Sequence, residues 1–157
     1  MARPTTYATP ICIALTVLAG LGILLGLLTE TVLYPIAFVV PAVGYEAYRT
    51  EGASTRWASW LLAVLTISLI VVNVFDISYD LSTLLGSSSA TVGGEEVPLG
   101  DVAVVFPAAM GALAVVLWTR TRGIYTRWLA AIVFVTAAAI VYLTAPEALG
   151  DLVDRVI

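Results

Sequence analysis

The chain has 157 residues, 61% of them hydrophobic and 11% charged, with a net charge of −4 and a mean hydropathy of +1.02. A soluble domain is about half apolar and about a quarter charged, so this composition excludes an ordinary water-soluble core. The length suits one compact membrane unit, with nothing left over for a soluble domain beside it.

The missing residues narrow the chemistry. There is no His, Lys or Gln, one Asn and one Cys, and all seven basic side chains are Arg. Without Lys there is no Schiff base to retinal, pyridoxal phosphate or a carbonyl substrate. Without His, haem, copper and most proton-relay sites lose their usual ligand. One Cys rules out an internal disulfide and a CxxC pair. No catalytic, cofactor-binding or metal-binding residue is therefore assigned, and no nucleic-acid partner is expected. The acidic balance, with a pI near 4.5 and Arg as sole base, gives a halophile-like composition. A drift of base composition toward Arg codons explains it equally well.

Five apolar stretches match a hydrocarbon core of about 30 Å at about 1.5 Å per residue. They predict an all-α, polytopic transmembrane bundle with spans at 8–28, 31–48, 57–77, 101–118 and 127–145. The first carries no charge and reads as a retained helix, not a cleaved leader. It contains the G-x-x-x-G of Gly22 and Gly26, a small-residue face suited either to packing within the chain or to a homo-oligomer or membrane-protein partner. Cys12, in the same span, reads as a small hydrophobe. The second span holds Pro35, Pro41 and Gly44, and a kink is expected at Pro41. Glu46, near its end, is three residues from Arg49 and predicts an ion pair along one helix face. In the third span, Asn73 and Asp76 suit a hydrogen bond to a neighbouring helix or an external vestibule.

Segment 78–100 reads as a flexible external loop, with room for one short helix around Ser82–Leu85. The fourth span opens after Gly100-Asp101, with Asp101 as its N-cap, and contains Pro107. Tyr79-Asp80 and Gly100-Asp101 superficially resemble the Tyr-Asp and Gly-x-Gly-Asp pair of intramembrane aspartyl proteases. Pro98 stands where the first Gly of that motif belongs, and both acids fall at the outer mouth. A solvated rim and a helix cap are the favoured reading there. The fifth span ends before Pro146, and 146–157 forms an external tail.

Arg3, Arg49, Arg56, Arg120, Arg122 and Arg127 all fall on one side of this five-span arrangement, and only Arg155 falls on the other. Trp57, Trp60, Trp118 and Trp128 sit at the same ends of their helices. By the positive-inside bias the N-terminus is cytoplasmic and the C-terminus external, in a cell membrane.

Residues 49–57 (RTEGASTRW) and 120–128 (RTRGIYTRW) match at six of nine positions, 71 residues apart. The match suits a duplicated helical hairpin, spans two–three and four–five, with an N-terminal helix added. Convergence on a short Arg-, Gly- and Trp-bearing turn explains it too. A shared turn design predicts positive φ at Gly52 and Gly123, with Thr55 and Thr126 capping the helices that follow.

No span carries a charge at its midpoint, which weighs against ion-coupled transport. The favoured function is a non-enzymatic accessory or scaffolding membrane protein. A small oligomeric transporter or channel built from the duplicated hairpin comes second, and a membrane enzyme using the external aspartates third.

Overall fold

Inside hydrocarbon a backbone must satisfy its own hydrogen bonds, so long apolar runs become helices. The computed structural model of the chain describes residues 7–49, 53–75, 90–92, 95–97 and 102–146. Five helices hold nearly all of them: α1 (Ala8–Thr29), α2 (Leu33–Arg49), α3 (Ala53–Val74), α4 (Val102–Arg120) and α5 (Ile124–Thr144). Four of these, all but α2, are long and apolar enough to cross a membrane. The 17 residues of α2 are the fewest of the five. They reach about 25 Å, a little less than a typical hydrocarbon core.

Helix ends differ from the hydropathy boundaries by up to a turn. α3 and α5 begin at Ala53 and Ile124, so Arg56-Trp57 and Arg127-Trp128 are already the fourth and fifth residues of their helices. Hydropathy marks where lipid begins, whereas helical hydrogen bonding continues into the headgroup layer. Thr55 and Thr126 are therefore helical residues instead of caps. Gly123 is the residue that precedes α5, with φ −74° and ψ 126°, which is extended and not left-handed. The expected positive φ is wrong there, and Gly52 lies outside the described residues. The turn closes by another route: Arg127 Nε donates to the Thr121 carbonyl at 2.9 Å. An arginine thus stands in for the left-handed cap.

Among the described residues, a left-handed non-glycine is found at the opposite end, in the α1–α2 turn. Glu30 has φ 53° and ψ 28°, and its N–H returns to the Gly26 carbonyl. A side chain in this region costs about 1 kcal/mol or more, and glycine avoids the Cβ clash. Glu30→Gly, at an exposed position, is expected to raise stability by up to about 1 kcal/mol. A thermal melt in detergent that showed a lower midpoint would refute this.

The segment expected to be a flexible loop with one short helix contains a two-stranded hairpin. β1 (Ala90–Val92) pairs antiparallel with β2 (Glu95–Val97), with Thr91 opposite Glu96. Gly93-Gly94, between the strands in sequence, lies outside the described residues. Ser82–Leu85, the suggested short helix, is outside the described residues.

Packing closes the helices into a ring. α1 touches α2, α2 touches α3, α3 touches α4, α4 touches α5, and α5 returns to α1. A further contact, α2 with α5, crosses the ring and makes these two the central helices. The interior is filled by Ile36, Val39, Leu62, Leu69, Met110, Leu117, Leu129, Val133 and Ile140, all fully buried. α2 continues through Pro41 and α4 through Pro107. Pro41 faces outward while Pro107 is buried.

Gly22 and Gly26 are both buried, and α2 together with the turn before it covers them. A Cβ at Gly22 would lie 2.4 Å from the Phe38 Cβ, and one at Gly26 would lie 2.6 Å from the Pro35 Cδ. Their small-residue face is thus occupied within the chain.

The repeat extends well beyond its nine residues. Arg49 ends α2 and Arg120 ends α4, while Ala53 opens α3 and Ile124 opens α5, each pair 71 apart. Ala58, Ser59, Leu62, Thr66 and Leu69 are the buried residues described in α3. Their counterparts Leu129, Ala130, Val133, Ala137 and Ile140 are all buried in α5. Ile36, Val39, Val43 and Glu46 of α2 likewise correspond to buried Pro107, Met110, Ala114 and Leu117 of α4. Exchanging α2 with α4 and α3 with α5 maps the contacts α2–α3 and α4–α5 onto each other. It also maps α2–α5 onto α3–α4. α1, lying on α2 and α5, has no counterpart.

Candidate functional site: a polar cluster at the arginine-rich end

Short turns bring the start of α1, the end of α2 and the start of α5 to one end of the bundle. Three side chains of α2 converge there: Tyr45, Glu46 and Arg49. The Arg49 guanidinium lies over the Tyr125 ring, 4.7 Å from its centroid. It also donates to the Tyr45 hydroxyl across 3.4 Å. A guanidinium over an aromatic face gains about 0.5–2 kcal/mol according to how dry the site is. The Tyr125 hydroxyl shares a 2.8 Å hydrogen bond with Thr9 of α1. One turn deeper, Trp128 Nε1 donates to Thr16 Oγ1 at 2.9 Å, and Thr16 Oγ1 in turn donates to the Cys12 carbonyl at 2.7 Å. These bonds fix the register of α1 against α5, because each joins residues more than a hundred positions apart.

Glu46 is the unusual member, with 0% of its surface exposed. It continues the inward stripe of Pro35, Ile36, Val39, Ala42 and Val43, so its carboxyl faces protein instead of lipid or bulk water. Cys12 is also fully buried. A withdrawn carboxyl next to a cation is unusual in a membrane bundle, where ionisable side chains generally serve function or packing specificity. Chemically it is suited to accept hydrogen bonds when ionised and to hold a proton when neutral.

Tyr45 and Tyr125 are partners of Arg49 that the expected Glu46–Arg49 pairing did not include. Burial of Glu46 was readable in principle. The 3–4 spacing of Ile36, Val39 and Val43 lands on position 46, but proximity to the interface and to Arg49 made an ion pair along the helix the simpler reading. Nothing in the sequence paired Thr9 with Tyr125.

Other candidates resolve more simply. Asn73 donates to the Leu69 carbonyl of its own helix at 2.9 Å, in place of a neighbouring helix. Thr66 and Thr136, both buried, also bond back to their own helix, to Leu62 and Ile132. This is how hydroxyls are hidden in apolar surroundings. Cys12 is a free, buried thiol. Asp76, Asp80 and Asp101, the acids of the protease-like motif, lie outside the described residues. Compared with protein-family models, curated proteins and solved structures, the chain matches none.

Proposed function

We propose that this chain is a non-enzymatic accessory or scaffolding protein of the cell membrane, with its N-terminus cytoplasmic and its C-terminus external. The observation that carries the reading is the filled interior. Where a channel would keep a wet path, the ring encloses large apolar side chains such as Leu62, Met110, Leu117 and Leu129. Lipid-facing surfaces are apolar and broad, as a helix-packing partner requires. The orientation is supported by the Arg and Trp residues gathered at one end.

Cross-linking in native membranes followed by purification tests the role. A stoichiometric complex with a second membrane protein is expected, together with no ion or proton flux in proteoliposomes above protein-free vesicles. Saturable flux would overturn the reading. Orientation is tested in a Cys12→Ala background with single cysteines at 90 or 123. An impermeant maleimide applied to intact cells is expected to label 90 and to reach 123 only after permeabilisation; the reverse would refute the topology.

One observation favours the transporter alternative: the buried carboxyl of Glu46 at the meeting of three helices. If flux is found and Glu46→Leu abolishes it in a folded protein, that alternative replaces the scaffold.

A further inference from the structure

We propose that the α4–α5 hairpin binds an anionic phospholipid, with one acyl chain in an apolar groove between the helices and the phosphate among Arg120, Arg122 and Arg127. The groove has a volume of about 200 Å³ and is bounded by Ala114, Val115 and Trp118 of α4 and by Ala131, Phe134 and Val135 of α5. Its surface is entirely apolar, which suits a hydrocarbon chain and no polar ligand.

Charge supplies the second argument. Arg127 stands four, seven and eight residues before Ala131, Phe134 and Val135, so it crowns the face that forms the α5 wall. Arg120 and Arg122 follow Trp118 at the end of the α4 wall. All three arginines are exposed. Arg127 is held in place by its bond to the Thr121 carbonyl, made through Nε. A cationic rim directly above an apolar slot has the layout of an anionic lipid: headgroup at the interface, chain below it. Trp118, exposed at the same depth, suits the headgroup boundary.

The first hairpin shows what the second has been given. At the same offset of 71, Arg122 corresponds to Glu51 and Ala131 to Trp60. The α2–α3 turn therefore mixes charges, and a tryptophan stands where the α4–α5 groove has a methyl group. The two hairpins share a fold, but this rim and slot belong to one of them.

Native mass spectrometry of the full chain, offered equal amounts of dioleoyl phosphatidylglycerol and dioleoyl phosphatidylcholine, tests the proposal. One phosphatidylglycerol should be retained with about tenfold preference, and Arg120→Gln and Arg122→Gln should each weaken it about fivefold. Arg56→Gln, in the other hairpin, should leave the preference unchanged. Ala131→Phe fills the slot and should lower retention with every arginine in place. If that variant melts early, Val115→Trp at an exposed position makes the same test. Equal retention of both lipids overturns the proposal. So does an Arg56→Gln effect as large as that of Arg122→Gln, which would mean general surface charge. Unchanged binding in a folded, groove-filled variant overturns the role of the groove.

Discussion

Gly22→Leu and Gly26→Leu are each expected to cost about 3 kcal/mol of stability or more, the upper end of overpacking penalties. The geometry leaves little choice. At Gly22 the new Cβ alone would sit 2.4 Å from the Phe38 Cβ and 3.2 Å from the Tyr34 carbonyl oxygen. At Gly26 it would sit 2.6 Å from the Pro35 Cδ and 3.2 Å from the Thr31 carbonyl oxygen. Backbone and a proline ring cannot swing aside as the end of a long side chain does. α1 would have to lift off α2, and because α1 also rests on α5, the Thr9–Tyr125 and Thr16–Trp128 bonds would lengthen with it. Gly20 is the internal control, since a Cβ there meets nothing within 4 Å. Gly20→Ala should be neutral or stabilising by up to about 1 kcal/mol, the ordinary gain from replacing a helical glycine. Melting all three variants in one detergent decides the matter. If the Gly22 and Gly26 variants melt with the wild type, the close approach of α1 to α2 is wrong.

Glu46→Lys is the second substitution expected to be severe, with a loss of about 3–5 kcal/mol or failure to fold. It places an ammonium in a site that excludes water, a few ångströms along the helix from the Arg49 guanidinium. Two cations would then stand three residues apart on one helix, the new one fully buried. Glu46→Leu makes the opposite prediction. Its counterpart in the second hairpin is Leu117, which is just as buried, so leucine at this depth suits the hairpin design. Arg49 is half-exposed and keeps Tyr45 and Tyr125 as partners, so the substitution strands no fully buried cation. A folded Glu46→Leu protein is thus expected to melt at or above the wild type. If it is instead as unstable as the lysine variant, Glu46 is a structural keystone and its use in transport loses its basis. If it folds well, the native carboxyl is present for a reason other than stability, and flux or partner binding is where the reason would show.

Much was legible in the sequence because a bilayer is an undemanding reader. Any apolar run of about twenty residues becomes a helix there, since its backbone has no other way to satisfy its hydrogen bonds. Five helices, their order and the gathering of Arg and Trp at alternate ends followed from composition and spacing alone. So did the likeness of the turns at 49–57 and 120–128, which proved to extend to the buried phase of both hairpins. Turn geometry was less legible. Gly123 invited a left-handed cap, but an arginine side chain reached the orphan carbonyl first, and the strained residue turned out to be Glu30.

What only the tertiary structure decided concerns the directions in which helices face. In water a helix declares its inner side by polarity, but in lipid both sides are apolar and the pattern is nearly silent. Hydropathy therefore could not say that Gly22 and Gly26 are spent on α2, that α2 and α5 meet across the ring, or that Thr9 finds Tyr125. It could not distinguish a wet Glu46 from a buried one, because depth along a helix is a property of one chain segment and burial is a property of its neighbours. The sequence determined which segments are apolar enough to become long helices; the packing of α1, α2 and α5 decided which of their few polar groups are buried.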